Sequence, residues 1–223
     1  MRKLNLFVLL LVAAFLVVGC TKNDSTALDN SGTKNSGNNA NGKNDTVGTK
    51  TDAEISMFDY FLPDGSKAHF QGEGNEFAEL DIEVAQPFEN YVIIHENNGG
   101  SLVRHIYKID SHTIFLMETG IIDTKQDFPS LEELNALEPI NIYLEAPFTK
   151  GKSFNNWTIV DTDVTLETPY KVFTDVFVIE MKENDIVNRK YFAAGFGEVK
   201  REAIMQTDDG ELRVTSTLKL VDQ

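Results

Sequence analysis

The sequence is poor in cysteine, because Cys20 is the only one among 223 residues. The chain beyond it therefore has no second thiol for a disulfide bond and no set of thiolates for a structural zinc site. The role of Cys20 has to be inferred from the residues that surround it.

Long apolar runs are also scarce, and the longest covers residues 6–18. It follows the cationic start Met1-Arg2-Lys3 and leads to Gly19-Cys20. At helical rise these thirteen residues extend about 20 Å, whereas a bilayer core measures roughly 30 Å. The pattern predicts a signal peptide over 1–19 and lipid attachment at Cys20. A short transmembrane anchor with an incidental cysteine is the alternative.

Lipidation of Cys20 would place two palmitate-like acyl chains on the mature N-terminus, which is enough for stable insertion into a bilayer. The next residues, Thr21 and Lys22, include no aspartate of the kind that acts as a sorting signal in Gram-negative bacteria. We therefore expect anchoring at the extracytoplasmic face of the cell membrane.

Residues 21–52 contain few side chains that a core could bury. Of these 32 residues, 20 are Asn, Gly, Ser or Thr, and none is aromatic. Such a composition cannot offset the entropy of ordering the chain. We predict that residues 20–52 form the lipidated cysteine and a disordered tether, which as a flexible coil would reach roughly 30 Å.

Basic side chains are few in the remainder, residues 53–223, which we predict to be a single domain. This part carries 31 acidic and 14 basic residues, a net charge of −17. Such a field repels nucleic acid and other polyanions, so neither is expected as a partner. It attracts cations and basic partners, although solubility alone also explains acidity.

The hydrophobic pattern of 53–223 has mostly a period of two. Leu80, Ile82 and Val84 alternate with Glu79, Asp81 and Glu83, as in a half-buried strand. Turn residues separate most of the runs, for example at 63–65, 97–100, 110–111, 183–185 and 208–210. Strand-like runs cover 77–84, 91–95, 102–109, 113–117, 140–144, 157–164, 170–181, 187–193, 199–206 and 212–220.

Helical spacing occurs only at 130–137, where Ser130 and Glu133 have the spacing of a capping box. The predicted fold is mainly β: an antiparallel meander that forms a strongly curved sheet or an open barrel, with one short helix.

Two Gly-x-Gly pairs, Gly72/Gly74 and Gly195/Gly197, lack the third glycine and the following helix of a dinucleotide-binding loop. We interpret them as a structural motif that makes bulges or sharp bends in the sheet.

No catalytic, metal or cofactor site is predicted. The histidines 69, 95, 105 and 112 are not spaced as metal ligands, and no serine lies in a nucleophile elbow. Two acidic groups, Asp161/Asp163 and Asp208/Asp209/Glu211, do not match a helix-loop-helix calcium site. A catalytic pair of carboxylates, as in a glycosidase, stays open because that pairing depends on the fold.

Four segments along the predicted domain resemble a set of uncharacterised extracytoplasmic lipoproteins of Gram-positive bacteria. The most specific reads Tyr-Phe-Ala-Ala-Gly-Phe-Gly-Glu-Val-Lys over 191–200, with Phe196 where relatives have valine and Glu198 where they have leucine. The resemblance implies a β-rich envelope domain and supplies no catalytic residues. The other three segments are 60–63, 72–77 and 144–151.

From these observations we predict a lipid-anchored, non-catalytic binding or structural module of the cell envelope. Its expected partners are the bilayer, through Cys20, and an envelope protein or wall component. Two alternatives stay open, a carboxylate-based hydrolase of wall polymers and a carrier of an apolar ligand. The concave side of the sheet discriminates between the three functions. Facing carboxylates in a cleft would favour the hydrolase, a large apolar cavity would favour the carrier, and a filled core would favour the binding or structural module.

Cys20→Ser should leave an unlipidated precursor, because the processing enzymes need the thiol. Mass spectrometry of the native protein should find diacylglycerol on an N-terminal Cys20 peptide. An unmodified Cys20 in membrane-bound protein would contradict the predicted anchor.

Overall fold

The computed structural model describes residues 56–125, 128–208 and 210–223. Cys20, the predicted signal peptide and the predicted tether lie outside these residues. The elements are a 3-10 helix η1 (Met57–Tyr60), α1 (Leu131–Asn135), and the strands β1 (Lys67–Glu73), β2 (Leu80–Phe88), β3 (Tyr91–Asn97), β4 (Leu102–Ile109), β5 (Thr113–Ile121), β6 (Asn141–Glu145), β7 (Ser153–Phe154), β8 (Trp157–Glu167), β9 (Val172–Glu183), β10 (Ile186–Ala193), β11 (Gly197–Thr207) and β12 (Gly210–Asp222). In this part of the chain no helix is long and apolar enough to cross a membrane.

All twelve strands belong to one antiparallel sheet that is nearly closed into a barrel. The order is β6-β5-β4-β3-β2-β1-β12-β11-β10-β9-β8-β7, so two six-stranded meanders are joined by the β1–β12 ladder. The edge strands β6 and β7 contact each other, and the Asn155 side-chain amide donates a 2.5 Å hydrogen bond to the Ile142 carbonyl. The predicted fold class is confirmed.

Local turn chemistry explains the meander. Gly99, Asn184 and Gly210 have positive φ values of 78°, 52° and 118° at three of the hairpin connections. Glycine and asparagine tolerate this region of φ, so the chain can reverse within a few residues. Adjacent strands therefore pair with their neighbours in sequence.

Two strands were not predicted, β1 and the two-residue β7. In β1 only Ala68 and Phe70 are buried. The residues beside them, His69, Gln71 and Gly72, leave too few apolar side chains for the period of two to be recognised in the sequence. Yet β1 is the strand through which the two meanders meet. The register of β1 in the sheet depends on its pairing with residues 215–222. The hydrophobic pattern of β1 itself gives no information about a partner so distant in the sequence.

The alternation predicted for 212–220 is wrong at both ends, and Leu212 at its start is 42% exposed. Leu220 is 49% exposed, whereas Leu218 is 1% exposed. The ladder between β1 and β12 shifts register between His69 and Phe70, which pair with Leu220 and Leu218. Such a bulge leaves Lys219 as the extra residue and turns Leu220 away from the core.

The barrel interior is filled by aromatic and aliphatic side chains, and some of these come from residues 57–62, which we name the plug. Met57, Tyr60, Phe61 and Leu62 are each 7% exposed or less. The Phe61 ring lies 5.2 Å from that of Tyr107 between centroids. The plug thus joins the main core cluster instead of lying on the surface.

Helix α1 covers the outer face of the first meander. Ser130 and Glu133 form the predicted capping box, in which each side chain accepts a backbone N–H bond from the other residue. Leu134 is fully buried against the outer side of β3 and β4. The Tyr91 hydroxyl donates to the Leu134 carbonyl at 3.2 Å.

The turn at Gly195 and Gly197 holds the plug. The Gly195 N–H donates a 2.6 Å hydrogen bond to the Asp59 carbonyl. Both glycines have positive φ, and a Cβ on Gly197 would lie 2.4 Å from the Tyr60 carbonyl oxygen. Only glycine permits this close approach of two backbones.

Gly72 and Gly74 also allow close backbone contacts. A Cβ on Gly72 would lie 2.1 Å from the Glu79 amide nitrogen, and one on Gly74 would lie 2.3 Å from the Arg213 carbonyl oxygen. Gly74 has a φ of 97°, whereas Gly72 is not in the positive region. Both positions therefore need glycine for a close backbone contact, and Gly74 also needs it for its positive φ.

Gly197→Ala should destabilise the protein more than Gly195→Ala. Both substitutions place a side chain at positive φ, at a cost of about 1–2 kcal/mol. Only Gly197→Ala adds a clash with Tyr60, which should cost about 1–3 kcal/mol more. Urea unfolding measures the difference, with Gly195→Ala as the matched control. Equal midpoints for the two variants would contradict the backbone contact.

Candidate functional site

The barrel interior contains a group of polar side chains, which we name the interior charge cluster. They come from both meanders and face one another across the space enclosed by the sheet. The members are Glu96 on β3, His105 and Tyr107 on β4, Tyr143 on β6, Lys190 on β10, and Glu198 and Arg201 on β11.

A bulge brings the two charged residues of β11 to the same side. In a regular strand, residues three apart point to opposite faces. The β10–β11 ladder shifts register between Tyr191 and Phe192, which pair with Lys200 and Glu198. Glu198 and Arg201 therefore both reach the interior, where they form an ion pair.

Arg201 connects the two meanders. Its terminal nitrogens donate to both carboxylate oxygens of Glu96 at 3.0 and 2.9 Å, and its Nε donates to Glu198. Strands β3 and β11 are separated in the sheet by β2, β1 and β12. This bidentate ion pair consequently spans the interior instead of following the sheet surface.

Lys190 completes the charge balance. Its Nζ lies 2.9 Å from a Glu198 carboxylate oxygen and 5.2 Å from the centroid of the Tyr143 ring. The Tyr143 hydroxyl donates a 3.3 Å hydrogen bond to Glu198. Two carboxylates and two cations are therefore paired within the cluster.

The pKa values of both carboxylates are shifted downward. Burial raises the pKa of Glu198, but the positive charges of Arg201 and Lys190 lower it more, to about 2. For Glu96, burial likewise raises the pKa and the facing Arg201 guanidinium outweighs it. Both groups are ionised at neutral pH.

For the histidine and the two tyrosines of the cluster, the pKa shifts favour the uncharged form. Burial is the largest cause that lowers the pKa of His105, to about 4. Burial, followed by the Glu198 charge, raises the pKa of Tyr107 and of Tyr143. His105 is uncharged at neutral pH, and its Nδ1 lies 2.9 Å from the Thr119 hydroxyl oxygen.

The remaining space beside the cluster is small. The cavity has a volume of about 110 Å³, and its apolar wall includes Phe61 and Leu62 of the plug and Phe70 of β1. This space is large enough for a few water molecules but too small for an acyl chain. The interior is occupied by the protein's own side chains.

The arrangement keeps both carboxyls of the cluster in their charged form. A glycosidase requires one carboxylic acid with a raised pKa as proton donor. Glu96 and Glu198 both have lowered pKa values because they share Arg201. The cluster can bind polar groups and fix the relative position of the two meanders.

The structure brings few of the sequence candidates together. Within the described ranges no three His, Cys, Asp or Glu side chains form a group that could hold a metal ion. Asp161 pairs with Lys150 at 3.3 Å. A second cleft, of about 320 Å³, includes His69 and His95 and lies elsewhere on the barrel. Cys20 and Asp209 lie outside the described residues.

The cluster was not identified from the sequence. Glu96 and Arg201 are 105 residues apart, so no spacing rule connects them. The available signal was Glu198, an acidic residue within the mostly apolar and glycine-rich segment 191–199.

No protein-family model and no curated protein matches this chain. Similar solved structures include a predicted exported protein with a YmcC-like fold from Bacteroides fragilis, with 15% identity, a TM-score of 0.47, and coverage of 74% of this chain and 98% of that one. A predicted lipoprotein from Parabacteroides distasonis has 12% identity and a TM-score of 0.43, over 75% of this chain and 100% of that one.

A hypothetical protein from Chlamydia trachomatis has 10% identity and a TM-score of 0.30, over 71% of this chain and 89% of that one. At these identities and TM-scores, the three likenesses identify no family for this chain and transfer no functional residue to it.

Arg201→Met should destabilise the protein by roughly 3 kcal/mol, because it leaves Glu96 and Glu198 without their shared partner. Lys150→Met is the control for loss of an exposed ion pair, since Lys150 and Asp161 are 67% and 54% exposed, and should cost at most about 1 kcal/mol. Chemical denaturation measures both. Equal losses would show that the cluster has no special energetic role.

Stability should decrease on acidification between about pH 6.5 and 4. The folded protein keeps His105 neutral down to about pH 4, whereas the unfolded chain binds the proton near pH 6.5. His105→Gln should flatten this decrease. The pKa of His95 is also lowered, mainly by burial, so some pH dependence should remain. An unchanged slope in His105→Gln would refute the assignment.

Proposed function

We propose that this chain is a lipid-anchored extracytoplasmic protein whose barrel-like sheet serves as a non-catalytic binding or structural module of the cell envelope. The lipid anchor is inferred from the apolar run at 6–18 followed by Gly19-Cys20. The non-catalytic role is inferred from the interior of the barrel.

The observation that carries the non-catalytic role is the pairing of charges around Arg201. Its guanidinium binds Glu96 and Glu198 together, and the pKa of each carboxyl is lowered. A site that transfers protons near neutral pH needs a group poised to exchange them. Here the acidic groups stay ionised and the histidine stays neutral.

Two alternatives have less support. A wall-polymer hydrolase would need one of the paired carboxyls to carry a proton at working pH. A carrier of an apolar ligand would need an empty interior, whereas the plug and the core aromatic rings fill it and leave about 110 Å³. A filled interior directs recognition to the outer surface of the barrel.

The charge of the predicted domain narrows the class of partner. With a net charge of −17 over residues 53–223, the surface attracts cationic groups and repels nucleic acid. An envelope protein or a wall component with amino groups is the partner that we infer, in addition to the bilayer reached through Cys20.

The proposal is tested in two parts with the full-length protein. Crosslinking of intact cells, followed by purification, should recover an envelope partner with the parent protein and less of it with Cys20→Ser, which loses its position at the membrane. Purified parent protein should release no fragments from isolated wall polymer.

Glu198→Gln tests the alternative function, the wall-polymer hydrolase. Glu118→Gln is the control for loss of a carboxylate outside the interior charge cluster. Polymer cleavage by the parent that disappears only in Glu198→Gln would establish a hydrolase and overturn the proposal. Recovery of the same partner with Cys20→Ser at undiminished yield would overturn the role of the anchor.

A further inference from the structure

A second feature of the molecule, distinct from the interior charge cluster, is a corner formed by three aromatic rings. Tyr170 precedes β9, Phe173 lies in β9, and Phe196 lies in the turn between β10 and β11. Phe173 and Phe196 are 5.0 Å apart between ring centroids and Tyr170 and Phe196 are 5.9 Å apart. We name this group the aromatic corner.

The aromatic corner holds a cation. The ammonium nitrogen of Lys171 lies 3.9 Å from the ring centroid of Phe196, 4.8 Å from that of Phe173 and 5.9 Å from that of Tyr170. All three distances are within the range of a cation–π interaction. The geometry therefore shows that the rings can surround an ammonium group.

The rings are fixed in place before any ligand arrives. Phe173 is 4% exposed and belongs to the main core, and Phe196 packs against that core. On the other side, the Lys171 N–H donates to the Thr168 hydroxyl at 3.1 Å, and the Tyr170 N–H donates to the Leu218 carbonyl at 3.2 Å. A preorganised site loses little entropy on binding.

Lys171 is an exchangeable occupant. It is exposed and lies in the turn between β8 and β9, so its side chain can swing into water without disturbing the sheet. A primary ammonium is strongly hydrated, and contact with the three rings displaces part of that hydration. A quaternary ammonium has no N–H groups to desolvate and is a favoured ligand of aromatic sites.

We propose that the aromatic corner is a binding site for a quaternary ammonium group of the choline class, which displaces Lys171. The net negative charge of residues 53–223 raises the local concentration of such cations. Either a choline headgroup or free choline carries this chemistry. The site does not depend on the lipid anchor or on the function proposed above.

The test is a titration of the purified full-length protein in nonionic detergent with choline chloride, followed by saturation-transfer NMR. Lys171→Ala should bind choline about five- to tenfold more tightly than the parent, because the internal competitor is gone. Lys182→Ala is the matched control, since that exposed lysine pairs with Glu180 and should leave binding unchanged.

Tyr170→Leu should weaken binding in the Lys171→Ala background. Tyr170 is 37% exposed, so its loss leaves the core closed. The neutral isostere 3,3-dimethylbutan-1-ol should bind more weakly than choline if the positive charge is recognised. Glycerophosphocholine distinguishes the sources, since binding equal to that of choline favours a headgroup and weaker binding favours the free cation.

The proposal is overturned if Lys171→Ala shows no binding of choline, or if choline and its neutral isostere bind equally well. A Lys171→Ala variant that loses thermal stability without gaining affinity would identify Lys171 as a structural contact of the turn, which also contradicts a ligand site.

Discussion

The ion pair between Arg201 and Glu96 is the contact on which the arrangement of the barrel depends. It joins β11 to β3 across the interior, where both side chains are partly removed from water. Removing charges from water is expensive unless each finds partners. Glu198 and Lys190 supply those partners, so the four groups stabilise one another only when the two meanders face each other as they do here.

This constraint also sets the charge state and the free space of the barrel interior. A carboxylate that neutralises Arg201 is not available as an acid, and the space beside it is narrowed by the plug. The plug in turn depends on Gly197, which lets the Tyr60 carbonyl approach the β10–β11 turn. The same turn presents Phe196 to the aromatic corner. One short segment therefore links the filled interior to a surface feature.

Two residues of the segment 191–200, Glu198 and Phe196, form contacts that link it to the rest of the molecule. Glu198 contributes the carboxylate that binds both Arg201 and Lys190. Phe196 provides the ring closest to the Lys171 ammonium. Without the Glu198 carboxylate both ion pairs would be lost, and without the Phe196 ring the shortest contact of the Lys171 ammonium would be lost.

The amino-acid sequence by itself determined the features that depend on near neighbours. The alternation of Leu80, Ile82 and Val84 indicated a half-buried strand, and Ser130 with Glu133 specified the start of the helix. Positive-φ turn residues such as Asn184 and Gly99 established the meander. Each signal lies within a few residues, because hydrogen-bonded turns and side-chain periodicity are local.

Only the tertiary structure decided how the two meanders combine. Strand β1 has a weak alternation, and its pairing with β12 is defined by contacts with residues about 150 positions away. The bulge that turns Leu220 outward lies in that long-range ladder. The bulge that brings Glu198 beside Arg201 lies in the β10–β11 hairpin, but the partner that Arg201 meets there, Glu96, is 105 residues away in the sequence. The interior charge cluster and the aromatic corner depend on which side chains, distant in the sequence, come into contact in the fold. Hydrophobic periodicity along the chain gives no information about such contacts.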